Sequence, residues 1–342
     1  MVRNILIFGH SNIGDVFYDL VVISPLRAAY PCAKIHFLTS SRCRDIVERY
    51  RGIDAIITFD RHGKNKGVCA RVKFLLELRR ADFDLAVVLK HSLTYRILPV
   101  GEFWVRHRRR NQPPQHSVDA YRQLLREHAV PTPPAAFDFI SSGEDRQFTE
   151  RFFRAQGIAA RDVIVGILPL AAWPRKSWPP EHWQRLIRIL TRRMGMKVMN
   201  LGKLPPGGLG DTVRSCLADD VIAADQTTLG QAMALLRRCN VFIGPDSSFL
   251  HLASCLGVAA IGLYGPTSSA CFYPYFHRQN IITPLAPPSC MPCYPGKGRD
   301  CEGDEGGVPP VFGRCMRAIT VEVVAAAVQR VCRETCRPQS AI

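Results

Sequence analysis

Short apolar runs rich in Ile, Val and Leu alternate along this chain with stretches whose apolar residues recur at helical spacing. That alternation predicts parallel sheets with helices packed on both faces. In the first half, 4–8 (NILIF), 34–39 (KIHFLT), 54–59 (DAIITF), 83–89 (FDLAVVL) and 101–106 (GEFWVR) read as strands, with helices over 15–29, 42–50, 66–80 and 116–128. Pro25 should kink the first helix or end its regular part. The segment 130–137, VPTPPAAF, has three prolines and little periodicity, and reads as a linker. Ser142, ahead of Glu144 and Asp145, opens a capped helix that Gly157 closes.

The same grammar then restarts. Strands are expected at 163–168, 197–201, 221–224, 240–243 and 258–264, and helices at 180–193, 227–238, 247–256 and 320–333. The expected architecture is α/β, with two Rossmann-like domains over 1–137 and 138–342. Open parallel sheets bind ligands at the carboxyl ends of their strands, so two such sheets facing each other make a central cleft lined by strand-end loops.

Composition narrows the class. The chain has 342 residues, 47% of them hydrophobic, which is a globular composition with enough length for two cores. No uninterrupted apolar run of about 18 residues predicts a membrane span. The opening MVRNILIFGHSNIGD has too short an apolar run for a signal peptide, so a cytoplasmic protein is expected. The formal charge of +16 favours an anionic partner: nucleic acid, anionic lipid, phosphorylated sugar or nucleotide. No zinc-finger, RRM or helix-turn-helix signature accompanies it, and nucleic acid is not the expected partner.

Three loops that follow strands carry candidate chemistry. GHSNIGDV, 9–16, has neither the G-x-G-x-x-G spacing of a dinucleotide loop nor a Walker lysine. Asp15 within it is either a helix cap or a general base. LPLAAWPRKSWPPEHW, 168–183, sets Arg175 and Lys176 between two Trp-Pro pairs; Lys176 either meets an anion or belongs to a solvated basic loop. In GPDSSFLHLASCLGVAAIGLYGPT, 244–267, Asp246 or Ser247 should cap a helix starting near Ser248. Its free N–H groups form an anion site, with His251 on the same face, or it is an ordinary capped turn with a core histidine. Asp82-Phe83-Asp84 precedes a strand and is rejected as a metal–nucleotide motif.

Taken in order, these stretches resemble glycosyltransferase family 9, the ADP-heptose-dependent heptosyltransferases. NILIFGHSNIGDVFYDLVVISPLRAAYP resembles the family's first strand, Ser-x-Ile-Gly-Asp loop and Pro-containing helix. PRKSWPPEHWQRLI resembles its Lys-x-Trp-Pro segment, and GPDSSFLHLASCLGVAAIGLYGPTS its Asp-Ser/Thr-Gly-x-x-His helix start and Gly-Pro-Thr loop, with Ser248 standing where the family usually has Gly. The resemblance implies a GT-B fold and an inverting transfer of heptose from ADP-heptose, or a related nucleotide sugar, to the lipopolysaccharide inner core. It implies Asp15 as general base and Lys176 on the donor phosphates, catalytic without a metal. Gly14, Gly202, Asp246, Ser247, Ser248, His251 and Thr267 would bind the donor. Ser11 and the basic loops carrying Arg61, Lys64 and Arg106 would bind the acceptor, at the anionic cytoplasmic face of the inner membrane. An autotransporter protein as acceptor, another nucleotide sugar, and a catalytically dead sugar-nucleotide scaffold are the alternatives.

Of the thirteen cysteines, six lie between Cys290 and Cys336. Cys290 and Cys293 have metal-ligand spacing. With Cys301 and Cys315 they supply four thiolates for a structural zinc or iron ion, or they are free thiols packing a loop.

Overall fold

The computed structural model describes residues 2–60, 63–90, 94–98, 100–106, 115–217, 220–294, 301 and 312–335. The chain divides into two compact units, Met1–Ile140 and Ser141–Ile342.

The first unit is built on a parallel sheet of β1 (Asn4–Phe8), β2 (Lys34–Thr39), β3 (Ala55–Thr58), β4 (Leu85–Val88) and β5 (Glu102–Val105), in the order β3-β2-β1-β4-β5. β1 is central: Ile5 registers with Ile35 on one side and Leu85 on the other. Ile5, Leu6 and Ile7 are fully buried, which is why this strand reads as a continuous apolar run rather than an alternating one. The expected helix over 15–29 is split into Ile13–Asp19, a tight turn at Leu20–Val22, and Ile23–Ala29. Pro25 has no N–H to give to the carbonyl one turn back, so the break falls just before it. Gly9 has a tight backbone requirement: a Cβ there would meet the Phe37 ring at 2.6 Å.

The second unit holds β6 (Ile164–Ile167), β7 (Lys197–Asn200), β8 (Val221–Ala223), β9 (Val241–Pro245), β10 (Ala259–Leu263) and β11 (Ile281–Ile282), all parallel, in the order β11-β10-β9-β6-β7-β8. Ser142 and Asp145 form a reciprocal capping box at the start of the Gly143–Ala155 helix. Trp178 and Trp183, both fully buried, meet edge to face with ring centres 5.2 Å apart and anchor the core beside the Val321–Thr335 helix. Several elements differ from the sequence expectation, among them the following. β9 runs on through Gly244 and Pro245, two residues further than its apolar run. A helix occupies Gly208–Leu217, and β11 adds a two-residue edge strand.

Each sheet has a topological switch point, where successive connections leave in opposite directions. It lies between β1 and β4 in the first unit and between β6 and β9 in the second. The residues just past these strands are where a ligand site belongs.

Candidate functional site

In the second unit, the loop after β6 and the turn after β9 bring three charged or titratable side chains together. Lys176 lies on a short turn, Pro174–Lys176, whose neighbours fix it. The buried Ser177 hydroxyl accepts from the Ala171 N–H at 2.8 Å, and Trp178 Nε1 donates to the Ile319 carbonyl at 2.9 Å. From this turn Lys176 Nζ donates to Asp246 Oδ2 at 2.8 Å, while His251 Nε2 bonds the other oxygen, Oδ1, at 3.2 Å.

Asp246 is only 8% exposed. Burial opposes its ionisation, but the His251 hydrogen bond and the Lys176 ammonium outweigh that and bring its pKa down to about 2. An ionised carboxylate only accepts, so His251 carries its proton on Nε2. Asp246 therefore fixes both the tautomer of His251 and the direction of Lys176. The ammonium keeps further N–H donors for a ligand.

The turn itself is built as the sequence suggests. Ser247 is the N-cap of the Ser248–Cys255 helix, its hydroxyl accepting from the Leu250 N–H at 3.4 Å. The cap does not consume the amides of Ser248 and Phe249, which point along the positive end of the helix. β10 pairs with β9, Leu263 opposite Pro245, so the Gly-Pro-Thr loop leaves the sheet beside this turn. Thr267 Oγ1 is buried there with no hydrogen-bond partner among the described residues. A buried hydroxyl without a partner carries a penalty that a bound polar ligand removes. Gly202 closes the loop after β7 through two hydrogen bonds with the Asn200 side chain, each 3.0 Å. Asp211 bonds Gly207 N and Arg214, within its own helix start.

Tyr294 is a member that sequence reasoning missed. It bridges to Thr267, its N–H donates to the Pro266 carbonyl at 2.8 Å, and Lys176 Nζ stands 5.8 Å from its ring centre. It ties the Gly-Pro-Thr loop to the lysine loop. Its only signal was an aromatic residue next to the Cys-x-x-Cys pair.

The first unit holds its own polar cluster at the ends of β1 and β4. Asn12 is the N-cap of the Ile13–Asp19 helix without a side-chain cap bond, and Asp15 accepts from Asn12 Nδ2 at 3.2 Å. Asp15 is thus not a cap; with Gly14 it stands in the first helical turn, half-buried. Sequence reasoning missed the groups next to it. Asp19 is fully buried and accepts from the His10 backbone N–H at 2.6 Å and from His10 Nδ1 at 2.9 Å. Burial opposes protonation of His10, but the Asp19 carboxylate, with Asp15 behind it, raises its pKa above the ordinary imidazole value. Tyr121 also bonds Asp19; its phenol is pushed well above the usual range by burial first and by Asp19 second. Lys90, just past β4, sits 4.6 Å from the Phe8 ring centre, and burial lowers its pKa. Arg106 lies over the Tyr121 ring at 5.1 Å and so joins this cluster. Ser11 is exposed, and its carbonyl accepts from the Ser40 hydroxyl at 3.0 Å. Lys64 is exposed in the turn after β3, and Arg61 lies outside the described residues.

The cysteine tail is gathered in part. Cys315 is buried, and its thiol is pushed up to about 12 by burial, with Cys301, Cys293 and Cys290 adding to the effect. Cys293 Sγ donates to the Cys290 carbonyl at 3.4 Å. Among the described residues no group of three or more His, Cys, Asp or Glu side chains is arranged to hold a metal ion.

Comparison with known proteins gives the family and the fold. The model of glycosyltransferase family 9 (heptosyltransferase) matches residues 83–297. The chain belongs to glycosyltransferase family 9. It is a nucleotide-sugar-dependent glycosyltransferase with the two parallel Rossmann-like sheets of the GT-B fold. A curated relative from the family, lipooligosaccharide heptosyltransferase 2 of Haemophilus ducreyi, is 28% identical, over 82% of this chain and 88% of its own length. Among solved structures, a family 9 glycosyltransferase from Veillonella parvula superposes with a TM-score of 0.77 at 20% identity, covering 97% of this chain and 98% of that one. The E. coli ADP-heptose lipopolysaccharide heptosyltransferase II superposes with a TM-score of 0.72 at 21% identity, covering 97% and 99%. The family match spans both the Lys176 loop and the Asp246 turn, whereas the Asp15 loop lies ahead of it.

Proposed function

We propose that this enzyme transfers a heptose from ADP-heptose to a sugar of the lipopolysaccharide inner core, with inversion at the anomeric carbon. The observation that carries the reading is the buried Asp246 carboxylate holding Lys176 and His251 at a helix start, beside a Thr267 hydroxyl that has no hydrogen-bond partner among the described residues. Such a set fits a sugar diphosphate: a cation, helix N–H donors and a hydroxyl, oriented before the ligand arrives. Names of the relatives, which include lipopolysaccharide heptosyltransferases, support the donor and acceptor class.

In this reading Asp15 takes the proton of the acceptor hydroxyl. The acceptor oxygen forms a bond to the anomeric carbon as the bond from that carbon to the diphosphate oxygen breaks. ADP leaves with the electron pair, its growing charge met by Lys176 and the Ser248–Cys255 helix start. A positioned base of this kind contributes about 10²–10⁴ in rate. Ser11, Lys64 and Arg106 serve the phosphorylated acceptor, consistent with the +16 charge of the chain. The enzyme works on the cytoplasmic side of the membrane that holds this acceptor. No step runs through a metal.

Mass spectrometry of a heptose-deficient core acceptor, incubated with enzyme and ADP-heptose, tests the proposal. A gain of one heptosyl group supports it. An unmodified acceptor, with ADP-heptose nonetheless bound by the protein, refutes the acceptor assignment; absence of donor binding refutes the donor assignment.

A further inference from the structure

The Val68–Arg79 helix of the first unit has two apolar faces. Phe74 and Leu78 point inward and are 9% and 5% exposed, packed in the core cluster with Phe8, Leu38 and Val88. On the opposite side Val68, Val72 and Leu76 follow one another at four-residue spacing and are 76%, 48% and 50% exposed. That spacing puts them in a single stripe. Arg71, Lys73, Arg79 and Arg80 are all exposed around it, against one acid, Glu77.

An outward stripe of branched aliphatic residues costs free energy in water and does nothing for the fold. Its flanks select the occupant. A second copy of this chain would set basic flank against basic flank. An anionic lipid surface offers apolar depth for the stripe and negative charge for the flanks. Twelve residues are far too short to cross a bilayer, and no described helix is long and apolar enough to do so. We propose that this helix docks the enzyme on an anionic bilayer, lying in the interface with Val68, Val72 and Leu76 inserted among the acyl chains. The proposal names the surface through which an enzyme with a membrane-held acceptor sits on that membrane, and to that extent it rests on the functional reading above.

The test is flotation of the full-length protein with vesicles of phosphatidylethanolamine and phosphatidylglycerol, and with phosphatidylcholine alone, at low and high salt. No sugar donor or acceptor is present. Each basic residue near an anionic surface contributes about fivefold to partitioning. The wild type should float with the anionic vesicles and lose most of that binding at high salt or on phosphatidylcholine. Val72→Gln/Leu76→Gln and, separately, Arg71→Gln/Lys73→Gln/Arg79→Gln should each lower partitioning at least about tenfold. All these positions are exposed, so melting should be unchanged, as should transfer to a soluble core acceptor stripped of its acyl chains. Wild-type protein that stays with neither vesicle at low salt, or variants that float as well as wild type, would overturn the proposal. So would a wild-type dimer that the Val72/Leu76 variant dissolves, which assigns the stripe to a second copy. Flotation without sugar transfer would leave this proposal standing and sink the functional one.

Discussion

Asp246→Asn removes one charge and keeps the shape. In the wild type the folded pKa of Asp246 is about 2, against an ordinary value of 3.8. A depressed carboxylate contributes stability above the unfolded value and loses it as pH falls through the folded one. A gap of nearly two units corresponds to about 2 kcal/mol at neutral pH. The two charge-assisted hydrogen bonds, at 2.8 and 3.2 Å, would suggest somewhat more. Lys176 is 21% exposed and regains part of its hydration when released, so the smaller figure is the better expectation. For a unit of this size it means a fall in melting temperature of roughly 4–8 °C. Tryptophan fluorescence reads the right half of the molecule, because Trp173, Trp178 and Trp183 all lie in the second unit and only Trp104 in the first. The asparagine also forces a choice. Its amide oxygen turns to Lys176, its NH₂ turns to His251, and the ring must move its proton from Nε2 to Nδ1 to accept. Nitrogen NMR of His251 would detect that change of tautomer. A variant as stable as wild type at about pH 7, or a deficit that does not shrink as pH falls below about 4, would refute the argument.

Further outcomes follow from the same structure. The raised pKa of His10 makes its bond to Asp19 stabilising below the ordinary imidazole range, and that contribution fades as pH rises through the raised value. His10→Gln should therefore lower the melting temperature at about pH 6 and much less at about pH 9; an equal loss at both would contradict the ion pair. Trp178→Phe leaves a cavity in the core and the Ile319 carbonyl without its donor, so urea unfolding should show a loss of at least about 1–3 kcal/mol, with weaker ADP binding through a looser Lys176 turn. Unchanged ADP affinity would mean that Ser177 alone holds the turn. In the proposed function Lys176 and a helix start supply the positive charge for the departing diphosphate, so transfer should persist in EDTA; loss of activity restored by added magnesium would contradict that assignment.

Much of the fold was legible because parallel strands buried on both faces are continuous apolar runs. β1 and β2 start and stop where those runs do. The Gly208–Leu217 helix was not, since GLGDTVRSCL opens with two glycines and buries only Gly210, Val213 and Leu217. β11 is two residues long and has no pattern to read. Among the candidate residues, loops after strands pointed to Asp15 in the first unit and to Lys176, Asp246 and His251 in the second, because ligand position follows from topology. Spacing could not tell whether Asp15 caps its helix; the Asn12 contact answers that. Nor could it pair Asp246 with Lys176, seventy residues earlier, or join Tyr294 to Thr267. Such partners are set by how strands order in the sheet. Asp19 lay within reach of inspection, nine residues after His10, but a carboxylate inside an apolar helix face declares its partner only when the sheet puts a donor opposite.

The central claim is that Asp15 acts on an acceptor hydroxyl while Lys176 and its partners hold ADP-heptose. Its most direct test is ADP release by the full-length enzyme from ADP-heptose, with and without a heptose-deficient lipopolysaccharide acceptor, for wild type and Asp15→Asn. The account predicts release that depends on the acceptor in the wild type. In the variant it should fall by about 10²–10⁴, with ADP-heptose affinity unchanged. Acceptor-dependent release that survives intact in Asp15→Asn would contradict it.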